Sequence, residues 1–280
     1  MIEIKRLEKR YSDGNYAIRG ITAKFGKRIT AVIGRNGAGK TTLMRILSTQ
    51  LLQSSGSVTI NGLDNIRDAK EIRKSIVSIP QEASPLGYLT PMEHLKMYLC
   101  ARGMSLKDST REASKALKEL ELWDARDTPS DMLSGGMKRK IFVAMALAAN
   151  ADTILLDEPT TGLDPISRME VWSAIKMLRG NILLTTHYME EASELSDEVV
   201  MVEAGKIIAT GTVSSLLNKF KGAVRAETTS PKVKSKYTIG STKIKYIKLS
   251  EAETYAKLGY SIKPITLDDL FVMRGVNLES

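Results

Sequence analysis

A five-residue apolar run, Ile29 to Ile33, empties directly into Gly34-Arg35-Asn36-Gly37-Ala38-Gly39-Lys40-Thr41. From Lys40 to Leu52 the apolar residues return at helical spacing, with Leu43, Ile46, Leu47 and Leu51 on one face. No other stretch limits the possible folds so tightly. Glycines let a backbone curl until several N–H groups point at one anion. A helix beginning where the curl ends adds the positive pole of its dipole. The pattern G-x-x-x-x-G-K-[ST], between a strand and a helix, is a cradle for linked phosphates. Lys40 is placed to reach the β- and γ-phosphates, the Thr41 hydroxyl is placed to hold Mg²⁺, and Thr42 continues the same wall.

The rest of the chain alternates strands and helices. Strands are expected at 2–7, 16–25, 58–60, 75–79, 154–156 and 181–185, and a hairpin at 198–203 and 206–210 around Ala204-Gly205. Helices are expected at 91–102, 106–122, 134–149, after Pro165, and at 189–195. Such alternation implies an α/β fold with a parallel sheet covered on both faces. The stretch from about 82 to 133 reads as helix only, so it is expected to be an inserted helical subdomain. After Asn218 the texture changes. Lys232 to Lys236 and Lys243 to Lys248 alternate as half-buried strands do, and 251–258 and 266–273 read as helices, the second capped by Thr266-Leu267-Asp268-Asp269. Residues 1–218 are thus expected to form the main domain and 219–280 a small α+β appendage.

Two further groups carry chemistry. Asp157 and Glu158 end the run Ile154-Leu155-Leu156, at the strand end where ligands bind in open α/β sheets. Asp157 is placed to help hold Mg²⁺, and Glu158 to orient and deprotonate an attacking water. Leu133-Ser134-Gly135-Gly136-Met137 opens a helix with a hydroxyl and bare backbone N–H groups, which is a second anion cradle. One nucleotide does not need two such cradles from one chain.

In this order and at these distances, Gly34 to Thr41, Gln81, Leu133-Ser134-Gly135-Gly136, Asp157-Glu158-Pro159, Gly162-Leu163-Asp164 and His187 resemble the ATP-binding cassette (ABC) ATPases over residues 1–215. The resemblance implies a P-loop NTPase core with an N-terminal antiparallel β subdomain, and an ATP-driven head-to-tail dimer. It also implies that Gln81 senses the γ-phosphate and Mg²⁺, that His187 holds the γ-phosphate, and that Asp164 communicates across the dimer. Tyr11 matches the aromatic that stacks on adenine; a surface tyrosine at a strand end is the other reading. The family usually has Gln where this chain has Met137, whose thioether cannot hydrogen-bond like an amide.

The single cassette, without a stretch of some 20 apolar residues, resembles the separate ATPase subunit of a transporter, at the cytoplasmic face of the membrane beside a permease. The ending Ile265-Thr266-Leu267-Asp268-Asp269-Leu270-Phe271 resembles subunits of multidrug-, antibiotic- or sodium-exporting systems. The segment from Gln81 to Leu99 is the expected docking surface for the permease. A non-transport cassette ATPase acting on nucleic acid or ribosomes is the competing class. Its one support is charge: of the net +9, most sits between Lys219 and Lys248, where nine Lys or Arg meet one acid, Glu227. These charges alternate with apolar residues as on a solvated sheet face, so no nucleic-acid partner is expected. The single cysteine, Cys100, excludes an internal disulfide framework.

Overall fold

A computed structural model describes residues 1–231 and 233–273, which divide into two compact units, the second beginning at Gly211. In the first unit, β1 (Ile2–Arg10) and β2 (Tyr16–Phe25) pair antiparallel, and β3 (Ile29–Ile33) leads to α1 (Lys40–Leu47). Then come β4 (Ser55–Ile60), β5 (Leu63–Asp64), α2 (Ala69–Ser75), β6 (Ile76–Ile79), α3 (Pro91–Ala101) and α4 (Leu106–Glu119). The unit continues through α5 (Gly135–Ala149), β7 (Thr153–Asp157), α6 (Pro165–Met177), β8 (Asn181–Thr186), α7 (Met189–Leu195), β9 (Glu198–Glu203) and β10 (Lys206–Gly211).

Two sheets result. One is antiparallel, ordered β2-β1-β4-β5; the other is ordered β10-β9-β3-β8-β7-β6, and β9, β3, β8, β7 and β6 run parallel. Every residue of β3 and β7 is buried, as strands covered on both faces must be. The expected apolar face of α1 fills the space between the sheets: Leu43, Ile46 and Leu47 join a buried cluster with Ile2, Ile4, Leu7, Ile18, Val32 and Leu155. Burying each such side chain stabilises by about 1.5–3 kcal/mol, which fixes the loop before α1 on the most buried ground in the unit.

α1 stops at Leu47 rather than at Leu52. Thr49 adopts the left-handed conformation (φ 61°), and Thr49 N–H and Gln50 N–H donate back to Ile46 and Arg45 carbonyls at 3.0 and 2.9 Å. This is a Schellman closure, which satisfies the last carbonyls and turns the chain. The helix α2 carries a single buried residue, Ile72, too few to imprint a period on the sequence. The helical expectation for 82–133 is met by α3, α4 and a single 3-10 turn at Ser130–Met132. α3 opens with a full capping box, Thr90 with Glu93. Among the described residues no helix is long and apolar enough to cross a membrane.

The second unit comprises α8 (Val213–Leu217), β11 (Ala223–Thr228), β12 (Tyr237–Ile239), β13 (Thr242–Lys248), α9 (Ala252–Lys257), β14 (Ser261–Lys263) and α10 (Asp268–Met273), with the sheet ordered β12-β13-β11-β14. The strand expected at 232–236 is corrected. Residues 233–236 are irregular and pairing begins at Tyr237, while Lys232 lies outside the described residues. The Ser235 hydroxyl donates to the Ile244 carbonyl and accepts from Tyr237 N–H at 3.4 Å, a local alternative to ladder hydrogen bonds. Part of the basic charge is spent internally. Arg225 pairs with Glu227 and, at 3.1 Å, with Asp269, which also accepts from the Tyr246 hydroxyl at 2.8 Å. Lys263 pairs with Glu227 at 2.6 Å.

Candidate active site

β3, β8 and β7 are parallel neighbours, so their C-terminal ends bring three loops to one edge of the sheet. The loop after β3 ends at Gly39, the N-cap of α1, at φ 102° and ψ 5°. A Cβ on Gly39 would sit 2.3 Å from the Ala17 carbonyl oxygen, so no side chain fits even if the backbone could be held there. Gly39→Ala is expected to lower stability by about 1–3 kcal/mol, the usual cost of such backbone strain, read as a lower urea midpoint. An unchanged midpoint would mean the loop can relax away from β2.

The Lys40 side chain is 4% exposed and its Nζ meets three oxygens: the Gly34 carbonyl at 2.8 Å, the Arg35 carbonyl at 3.2 Å and Glu158 Oε1 at 3.3 Å. Those partners match the three protons of an ammonium. Glu158 itself stands at φ 48°, unusual for a residue with a side chain. Its backbone N–H donates to the Thr185 hydroxyl oxygen at 3.0 Å and to the Thr185 carbonyl at 3.1 Å. Glu158 Oε2 accepts from Thr161 Oγ1 at 3.0 Å and lies 3.0 Å from His187 Nδ1. One carboxylate thus ties together the loops that follow β3, β7 and β8.

Asp157 is buried beside it. Burial pushes its carboxyl up from the usual carboxylate range, against hydrogen bonds from the Thr185 and Thr41 hydroxyls that pull it down. Thr42 Oγ1 is 3.2 Å from the Tyr11 hydroxyl, which anchors an otherwise well-exposed ring next to the loop. A cleft of about 600 Å³ opens here, walled by Asn36, Gly37, Gly39, Lys40, Thr41, Thr42, Gln81, Glu158 and His187, and also by Ala17 and Thr161.

Of the residues singled out in the sequence, Gly34, Arg35 and Ala38 belong to the loop without lining the cleft; Gly34 and Ala38 are buried and Arg35 is exposed. Ser134, Gly135, Gly136 and Asp164 do not line the cleft. Ser134 is the N-cap of α5, its Oγ accepting from Met137 N–H at 3.2 Å, and Ser134 and Gly135 are exposed. Gly136 is buried against α6, where an added Cβ would lie 2.9 Å from the Ser167 Cβ. Asp164 caps α6, accepting from Ile166 and Ser167 N–H at 3.0 and 3.1 Å. Hydrogen bonding from Ser167 holds its carboxyl below the usual range. Gln81 presents its backbone carbonyl to Arg139 Nη2 at 3.3 Å, which links the loop after β6 to α5.

Three participants were missed. Ala17 contributes a carbonyl, which no side-chain pattern reveals. Thr185 lies in a buried strand and reads as β-propensity. Thr161 follows Asp157-Glu158-Pro159 by two residues and was within reach of sequence reasoning as a hydroxyl beside a candidate base.

The chain is similar to known proteins in sequence and in fold. The family model described as ABC transporter matches residues 22–161. The phospholipid-transporting ATPase ABCA3 of Mus musculus is 38% identical over 225 residues, 78% of this chain, but the chain spans only 13% of that protein's length. The daunorubicin resistance ATP-binding protein DrrA3 of Streptomyces coeruleorubidus is 36% identical over 219 residues, covering 77% of this chain and 69% of that protein. Among solved structures, a dimeric post-hydrolysis state of the ATP-binding cassette MJ0796, bound to ADP and Pi, shares the fold with a TM-score of 0.68 at 24% identity, over 76% of this chain and 98% of that one. The P-loop core, the paired carboxylates and the length shared with DrrA3 lead to one assignment: the chain belongs to the ABC transporter family as an ATP-binding, ATP-hydrolysing cassette.

Proposed function

We propose that this cassette powers a separate membrane permease, and that two ATPase chains, identical or related, close over ATP to complete each site. One observation carries the second half. Lys40, Thr41, Gln81, Glu158 and His187 share a cleft whose walls exclude Ser134, Gly135 and Gly136, although those residues present an exposed hydroxyl and helix N-terminus. A cradle that faces outward is open to an anion held by another chain. The dimeric cassette MJ0796 supports this reading by its fold.

Within the site, backbone N–H groups from Gly34 to Thr42 grip the phosphates and Lys40 neutralises the β- and γ-oxygens. Tyr11 stacks on adenine. Glu158 takes the proton of the attacking water, His187 holds the γ-phosphate, and Asp164 carries the state of one site to the other. The donor set suits Mg²⁺: Thr41 hydroxyl, Asp157 carboxylate and Gln81 amide oxygen are all hard ligands. Among the described residues no three acidic, His or Cys groups cluster to hold a metal alone. A Mg²⁺ ion held by these residues would supply neutralisation of the charge that develops on the phosphates during hydrolysis.

Leu86, Tyr88 and Met97 are exposed at 46%, 74% and 53% within or beside the segment from Gln81 to Leu99. An apolar surface following Gln81 suits a permease helix. The chain would then lie peripherally on the cytoplasmic face of the membrane, with export of a drug, ion or other small substrate, in line with the name of DrrA3. No nucleic-acid partner is proposed. Affinity purification of the chain from detergent-solubilised membranes tests the reading. A membrane protein without a cassette of its own is the expected companion; ribosomes or nucleic acid in its place would contradict it.

A further inference from the structure

Beneath the cleft lies a carboxylate that the hydrolytic scheme does not use. Glu191, on α7, is fully buried. A lone buried carboxylate costs several kcal/mol unless hydrogen-bonded, and Glu191 Oε1 accepts two bonds: from Thr160 Oγ1 at 2.7 Å and from Trp172 Nε1 at 2.9 Å. Its other oxygen, Oε2, has no hydrogen-bond partner among the described residues; the Thr186 hydroxyl and, at longer range, Arg168 favour its charged form. Burial still pushes its acidity down, raising the pKa above the usual carboxylate range.

The partners matter by position. Thr160 comes two residues after Glu158 and one before Thr161, whose hydroxyl bonds Glu158 Oε2. Thr186 comes one residue before His187, and its oxygen also accepts from Tyr188 N–H at 2.9 Å. Glu191 is four residues after His187, on the helix that begins at Met189. A bond from Thr160 to Glu191 therefore ties the loop carrying Glu158 to the loop carrying His187 from below. Above that tie, Glu158 Oε2 and His187 Nδ1 meet at 3.0 Å.

We propose that Glu191 is a positioning residue for hydrolysis: by accepting from Thr160 on one loop while anchored behind His187 on the other, it holds Glu158 and His187 in one register. The inference rests on the reading of Glu158 as base and His187 as γ-phosphate ligand. Glu191 is fully buried and does not line the cleft, so its loss acts on kcat. A misplacement of about 1 Å in a catalytic group costs up to about a hundredfold.

The test uses the full chain, with steady-state ATPase kinetics, ATP affinity and thermal melting measured together. Glu191→Ala is expected to lower kcat at least about tenfold while ATP affinity stays within about twofold. Glu191→Gln keeps the accepting oxygen and is expected to recover most of that loss. Should Glu191→Ala not fold, Thr160→Val removes the decisive donor alone and is expected to lower kcat several-fold with ATP affinity unchanged. Trp172→Phe cuts the bond to α6 but neither tie to the two loops, and is expected to keep kcat within about twofold. Wild-type kcat in both Glu191→Ala and Thr160→Val would overturn the proposal, as would equal losses from Trp172→Phe and Thr160→Val, the mark of a merely structural role. Glu158→Gln run alongside separates the two levels: if it is inactive while Glu191→Ala is normal, only the positioning role fails; if it is active, the underlying reading fails.

Discussion

Glu158→Gln is expected to bind ATP, to lose hydrolysis by a factor of about 10²–10⁴, the range for removing a general base, and to accumulate as an ATP-bound dimer. The geometry gives the reason for both halves. Glu158 is buried, has His187 and Thr161 on one oxygen and Lys40 on the other. The amide preserves size and one accepting oxygen, so the loops after β3, β7 and β8 stay joined. It removes the negative charge that competes with phosphate for the Lys40 ammonium, so affinity for ATP should hold or rise. Without a base to open the cycle, the closed dimer persists and is visible by size exclusion with ATP and Mg²⁺. Near-normal turnover would remove Glu158 from the role of base.

Ser134→Arg should abolish turnover and leave ATP binding to isolated chains within about twofold, since Ser134 lies outside the cleft that holds the phosphate loop. The serine caps α5 through Met137 N–H. Losing such a cap costs about 0.5–2 kcal/mol, a modest melting shift in an otherwise intact fold. Bulk and positive charge at an exposed helix N-terminus oppose the approach of another chain's nucleotide site. Equilibrium binding of a fluorescent ATP analogue, set beside phosphate release, makes the separation. Lost nucleotide binding in the isolated variant would mean that Ser134 belongs to its own chain's site after all.

The core of the first unit was legible because its signals are local and redundant. Ile29–Ile33, the glycines after it and the apolar stripe of α1 sit within two dozen residues, and the strand and the stripe are both buried. The same holds for α3 and α6, whose caps Thr90 and Asp164 are followed by proline at the first helical position. What escaped depends on partners distant in sequence. Ala17 enters the site through a carbonyl, and Thr185 through a hydroxyl brought beside Asp157 by strand register. The overlong reading of α1 has a different cause. Leu51 keeps the helical period and packs on the same core, although a left-handed Thr49 has already ended the helix. In the second unit the alternation of Lys232 to Lys236 resembled a strand, but a serine side chain outcompeted the ladder.

The central claim is that Gly34 to Thr41 forms half of an active site and that Ser134 to Gly136 of another chain supplies the rest. Mixing two inactive variants tests it directly. Lys40→Ala destroys the phosphate loop of its own chain, and Ser134→Arg destroys the cradle offered to the other. In a symmetric mixed dimer both lesions fall on one composite site, and the second site is wild type. The account predicts that ATPase activity absent from each variant alone returns on mixing, to about a quarter of wild type for random pairing and independent sites. A mixture as inactive as its components at every ratio, with mixed dimers demonstrated, would contradict it.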